Sequence, residues 1–276
     1  MEAYNEGIRN VRGDVIIFLD HDAIPKPDCV AEHLLTYDGL RVVGVSGDVI
    51  PAYLVNGVLK PLENSSEVAN FYREPKILRI IGEKLWNRPL EGQEQYLAYI
   101  SKAGYSQKNI YVERREINNS LPCMAANMSI LRSALQNFRI PTSFLKRGIA
   151  FEQVIGWHSW KTGHHMVSNP TAKVYHIRHG QSMSRSLDTK NTLIAVIEDQ
   201  LLFYYLLPRE EGISEMHRIV SMMYDFLVHI KKTKQSSRHE MVALRGILFG
   251  NMIGLKWLVS RKVGGTYTPV HDPMLR

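Results

Sequence analysis

The run Gly13-Asp14-Val15-Ile16-Ile17-Phe18-Leu19-Asp20-His21-Asp22-Ala23-Ile24-Pro25 constrains this chain more than any other stretch. Five consecutive apolar residues, three of them β-branched, lead into two acids one residue apart. Such a run is too short for a helix and reads as a fully buried strand. Asp20 and Asp22 then stand at the C-terminal end of that strand, where α/β sheets place their ligand chemistry. Two carboxylates there suit a hard divalent cation that keeps open positions for phosphate oxygens. Read without its context, Asp-X-Asp before a proline is equally a turn.

Length and composition narrow the setting. A chain of 276 residues holds one large domain, or one domain with a helical appendix. The two cysteines, Cys29 and Cys123, form no Cys-X-X-Cys pair. That disfavours a disulfide scaffold and a cysteine zinc site, and fits a cytoplasmic, reducing compartment. No apolar leader follows Met1, and no apolar run is long enough to span a bilayer. Residues 217–276 carry ten Lys and Arg against three Asp and Glu, which accounts for the whole formal net charge of +7. The same region holds apolar, helix-like segments at Ile219 to Ile230 and Met241 to Val259. Basic and amphipathic together point to an anionic membrane surface, with peripheral attachment, rather than to nucleic acid. A solvated basic face on ordinary packed helices is the alternative.

Along the chain, residues 3–12 read as a helix ended by Gly13, and Asp28 to Tyr37 as a second helix after Pro25-Lys26-Pro27. Val42 to Ile50 reads as a strand. Residues 51–121 read as an insertion with some helix. Pro122 to Met128 reads as a short strand, with Ser129 capping a helix from Ile130 to Gln136. Phe151 to Lys161 reads as a helix ended by Gly163, and Val174 to Ile177 as a short strand. A long apolar helix over 188–207 stops at Pro208.

Two further features carry chemistry. Glu152 lies in the first turn of the helix Phe151 to Lys161, where the helix dipole favours a carboxylate. His176 and His179 fall three apart in Tyr175-His176-Ile177-Arg178-His179 and offer an imidazole to a metal. Each has an ordinary counterpart, a surface glutamate and a hydrogen-bonded structural histidine.

In order along the chain, these pieces resemble family 2 glycosyltransferases of the GT-A fold. The matching residues are Asn5-Glu6-Gly7-Ile8, the strand that ends in Asp20-His21-Asp22, Ala126-Asn127-Met128-Ser129-Ile130, Phe151-Glu152-Gln153-Val154-Ile155-Gly156 and Pro170 to His176. The resemblance covers roughly residues 3–185. It implies an α/β fold, a nucleotide-diphospho-sugar transferase-like mixed sheet flanked by helices, over residues 1–187. A C-terminal helical extension follows over 188–276. The family's upstream β-α-β segment has no counterpart here, so an N-terminally truncated form of the fold is expected.

The resemblance also implies a mechanism. Asp22, Asp20 and His176 hold Mg²⁺ or Mn²⁺ on the diphosphate of a nucleotide-diphospho-sugar donor. His21, Arg178 and His179 join Asp20 and Asp22 in holding that donor. Glu152 acts as base on the acceptor hydroxyl, and the sugar is transferred with inversion. Asn127, Met128 and Trp157 line the sugar and acceptor, a glycan or lipid-linked saccharide. Phe151-Glu152 stands where the family has Glu-Asp, so Glu152 takes the aspartate's place with one more methylene. Two other readings stay open. One is a phosphohydrolase of the haloacid dehalogenase type with Asp20 as nucleophile. The other is an inactive fragment that binds a membrane or partner.

Overall fold

A computed structural model describes residues 1–62, 88–109, 111–121, 125–142, 150–177, 202–203, 205–233, 249–250, 252–257, 259–260 and 263. Its centre is a mixed sheet of seven strands. The path across it runs β1 (Val15–Leu19), β8 (Asn127–Leu131), β3 (Gly44–Val55), β9 (Met166–Ile177), β2 (Ala23–Pro25). The strand β4 (Val58–Pro61) pairs with β3, and β7 (Asn118–Asn119) pairs with β9. β3 and β9 are parallel, and every other pairing is antiparallel. A separate ladder joins β5 (Ala98–Ile100) to β6 (Ser106–Lys108). The helices are α1 (Glu2–Asn10), α2 (Cys29–Gly39), α3 (Phe151–Lys161) and α4 (Glu215–Thr233).

The α/β mixed sheet with flanking helices is as expected, and α1, β1, α2 and α3 lie where the sequence puts them within one or two residues. The α3 helix ends at Gly163, which adopts a left-handed φ of 80°. Other expectations are corrected. Asn127–Leu131 forms the strand β8, so Ser129 sits mid-strand, and only a single 3₁₀ turn, Arg132–Leu135, follows. Residues 122–124 lie outside the described ones. Over 51–121 the described residues hold short strands and no helix. The strands read as Val42 to Ile50 and Val174 to Ile177 each extend to twelve residues. Of the helix expected over 188–207, residues 202–203 and 205–207 are described; 202–203 and 205–206 are helical and 207 is in a turn.

One core joins the sheet to the later part of the chain. Ile16, Phe18, Met128 and Ile130 from β1 and β8 cluster with Val154 and Trp157 of α3, and with Phe203, Leu206 and Trp257. At about 25 cal/mol per Å² of apolar surface, such side chains contribute on the order of 2 kcal/mol each when fully buried.

The inner face of α2 is polar. His33 is fully buried and its ring bonds to Asn127 Oδ1 and Ser129 Oγ, both at 2.8 Å. The Asn127 Nδ2 amide donates to the carbonyls of Asp48 and Ala172 at 2.9 and 2.8 Å. Two carbonyl acceptors fix the amide's orientation, so His33 Nε2 carries the proton and Nδ1 accepts from Ser129. Tyr37 completes the chain with its hydroxyl 2.9 Å from Ser129 Oγ. Burial holds the His33 imidazole below its usual pKa, which keeps it neutral as this pattern requires.

The parallel β3–β9 register shifts between Gly47 and Asp48. The surplus residues of β9 are Pro170-Thr171-Ala172, and Asn169 Oδ1 accepts from the Thr171 backbone N–H at 2.8 Å. Asn127 reaches across this bulge directly over Gly47. A Cβ at Gly47 would collide with the Asn127 amide and the Ala172 carbonyl. Gly47→Ala is therefore expected to destabilise the fold by at least about 2 kcal/mol, through overpacking and the loss of buried hydrogen bonds. A urea midpoint equal to that of the parent protein would exclude this account of Gly47.

Candidate active site

The site forms where three chain segments meet at the C-terminal end of β1. Leu19 pairs with Asn127 in β8, which fixes the level at which Asp20 leaves the sheet. The Ala23 N–H then bonds the Asp20 carbonyl at 3.0 Å, closing a tight turn over His21 and Asp22. Ala23 pairs with His176 across the β2–β9 ladder, and the Ile177 N–H bonds the Asp22 carbonyl at 2.9 Å. This register brings an imidazole from 154 residues downstream against the two acids.

His176 Nε2 lies 3.1 Å from Asp22 Oδ1 and 3.6 Å from Asp20 Oδ2. One ligand atom from each of the three residues falls within 4.8 Å of the others. All three side chains are partly exposed, with Asp22 the most enclosed. The nearby carboxylates of Asp20, first, and Asp22 raise the His176 pKa against the opposing effect of burial. This donor set and its open outer side suit a divalent cation with positions left for further oxygens.

Glu152 approaches the same acids from α3. Three aromatic rings set its position. Tyr4 of α1 lies 4.7 Å from Phe151 and 6.1 Å from Phe18 of β1, and Phe18 lies 5.9 Å from Phe151, ring centroid to centroid. Asn5 ties α1 down, exchanging two hydrogen bonds with the backbone of Ile140 at 2.9 and 2.8 Å. Ala150 enters α3 through a left-handed conformation with φ 66°, costly for a residue with a Cβ.

The Glu152 Oε2 atom is buried and has no hydrogen-bond partner among the described residues. Oε1 accepts a long hydrogen bond from Gln153 Nε2 at 3.3 Å. Burial, with a smaller push from the charge of Asp20, raises the Glu152 pKa to about 7. A carboxyl poised there exchanges a proton readily near neutral pH. Tyr4, which the sequence reading did not single out, borders both acids, and its hydroxyl pKa is raised first by burial and then by Asp20 and Glu152.

The structure thus gathers Asp20, Asp22, His176 and Glu152. His21 sits exposed in the turn between the two aspartates. Arg178 and His179 lie outside the described residues. Asn127, Met128 and Trp157 do not line the site as expected. Asn127 and Met128 are fully buried, and the Asn127 amide is spent on the His33 network. Trp157 packs in the core and donates its indole N–H to Glu210 Oε2 at 3.1 Å. These residues build the wall behind the site, and none has a polar atom left to face a sugar.

Residues 1–121 match the family model described as Glycosyl transferase family 2. Among solved structures, the crystal structure of GalNAc-T7 with UDP, GalNAc and Mn²⁺ aligns at 15% identity and a TM-score of 0.45. The alignment covers 76% of this chain and 37% of that one. No curated protein matches the chain.

Proposed function

We propose, from the family 2 glycosyltransferase-like domain that this chain carries, that it is an inverting glycosyltransferase acting on a nucleotide-diphospho-sugar. The family match supports glycosyl transfer in general. The observation that carries the finer reading is the meeting of Asp20, Asp22 and His176 beside the buried carboxyl of Glu152.

Asp22, Asp20 and His176 would hold Mg²⁺ or Mn²⁺, and His21, Arg178 and His179 the donor diphosphate. A bound divalent cation supplies Lewis-acid neutralisation of the departing diphosphate. Glu152 accepts the proton of the acceptor hydroxyl on its carboxylate. The acceptor oxygen forms its bond to the anomeric carbon as the bond to the diphosphate breaks. One displacement inverts that centre. Phe151, Tyr4 and Phe18 hold Glu152 in place and keep water from its inner side.

The acceptor in this reading is a glycan or lipid-linked saccharide met at the cytoplasmic face of an anionic membrane. The basic excess over residues 217–276 supports it. So do the apolar residues Met252, Leu255 and Val259, which lie exposed at helical spacing beside Lys256. No helix among the described residues is long and apolar enough to cross a membrane.

The test is a panel of nucleotide sugars incubated with the full chain, with Mn²⁺ and with chelator. Nucleoside diphosphate release from at least one donor, abolished by chelator, is the expected result. Metal-independent release, or a product that retains the donor's anomeric configuration, would overturn the proposal.

A further inference from the structure

The β3–β4 hairpin projects from the same end of the sheet as the candidate site. Pro51 of β3 pairs with His176, and Ala52 with Ile177, the last residue of β9. From there, among the described residues, no further strand pairs with the hairpin, which reaches Val55 about 13 Å beyond the His176 level at ~3.3 Å per residue. Asn56 and Gly57 close it, both with positive φ, at 52° and 78°. That is the stiff two-residue turn favoured in hairpins.

The outer strand residues are apolar on both faces. Val55 faces Val58, and Tyr53 faces Lys60, on one side of the ladder. Leu54 faces Leu59 on the other. Leu54 and Val58 are 55% and 59% exposed, and Tyr53 and Val55 are also exposed. A hairpin resting on its own protein buries one face and wets the other with polar side chains. Here neither face has that composition. A groove on a partner protein would cover one face and leave the other wet, whereas a lipid interface meets both. Lys60 supplies the cation that reaches back to headgroup phosphates.

We propose that this hairpin docks the chain on an anionic bilayer, with Tyr53, Leu54, Val55 and Val58 at the boundary between headgroups and acyl chains. It holds the acids of the site above the lipid headgroups. The choice of an anionic surface follows from Lys60, the one charged residue in Pro51 to Pro61. The inference rests on the reading above that the acceptor is met at a membrane, and adds the element that sets the site's height over it.

The experiment uses the full chain and vesicles of phosphatidylcholine with phosphatidylglycerol. In Val58→Trp, the added indole should be quenched by lipids brominated on the acyl chain, beyond the quenching of the parent protein. The double variant Leu54→Asp with Val58→Asp should lower vesicle partitioning about tenfold or more, since it replaces buried apolar surface with charge. Mn²⁺ affinity, read by electron paramagnetic resonance, should stay at the parent value in both. Absent quenching, or unchanged partitioning of the double variant, overturns the docking role and leaves the metal-site reading standing. Self-association without lipid that the double variant abolishes would also overturn it, in favour of a second copy as occupant. Absence of Mn²⁺ binding in the parent protein would instead count against the site reading alone.

Discussion

Glu152→Gln is expected to lose turnover by about 10²–10⁴-fold while keeping donor and Mn²⁺ affinity, because the amide keeps the shape but cannot accept a proton. The same substitution should stabilise the protein at alkaline pH. The usual carboxyl value of 4.5 is raised here to about 7. Below pH 4.5 the group is protonated in both folded and unfolded chains and costs nothing. As pH rises from there, the unfolded chain releases the proton and the folded chain keeps it to about 7. Stability therefore falls across that window, by on the order of 3 kcal/mol in total. Glutamine has no such loss, so the variant and parent should agree near pH 4 and diverge by pH 8. In the parent, kcat should rise with pH along a limb centred near 7, and that limb should vanish with the residue. Urea unfolding at several pH values and a pH–rate profile read both effects. Unchanged kcat would remove Glu152 from proton transfer. Stability curves that stay parallel from pH 4 to 8 would show that its carboxyl is not buried as described.

Asp22→Ala is expected to weaken Mn²⁺ binding by at least about 100-fold, more than the 10–100-fold typical of a supporting residue. Metal-dependent transfer should be lost with it. Folding should change little, because the Asp22–His176 pair is partly exposed and contributes about 1 kcal/mol or less. Isothermal titration with Mn²⁺ and thermal unfolding of the metal-free protein separate the two. Retained affinity with full loss of transfer would make Asp22 a donor contact rather than a metal ligand. A large drop in unfolding temperature would make it structural.

The elements legible in the sequence are those specified locally. Val15 to Leu19 is apolar on both faces and bounded by Gly13 and Asp20, so strand and acids follow from neighbouring residues alone. Phe151 to Lys161 is likewise delimited by its own pattern and by Gly163. The Asn56-Gly57 pair between apolar residues is an equally local hairpin signal, and it was available to the sequence reading. The misreadings arise where local signals compete with distant contacts. Ser129 has the side chain of a helix cap, but its hydroxyl bonds His33, 96 residues away, and the strand wins. Asn127 has the side chain of a ligand contact, but the carbonyls of Asp48 and Ala172 claim it first.

The sequence by itself determined that two carboxylates end an apolar strand and that a glutamate opens a helix, because periodicity and stop signals act within a few residues. It did not determine burial, for the strand expected to be fully buried buries only Ile16 and Phe18 and leaves Leu19 exposed. Only the tertiary structure decided that these groups form one site. The β2–β9 register sets His176 against Asp22, and a one-residue slip would turn its side chain to the opposite face. The aromatic packing of Tyr4, Phe18 and Phe151 buries Glu152 near Asp20, and burial is what raises its pKa. Desolvation and charge coupling depend on distances between residues far apart in the chain, and those distances exist only once the sheet is assembled.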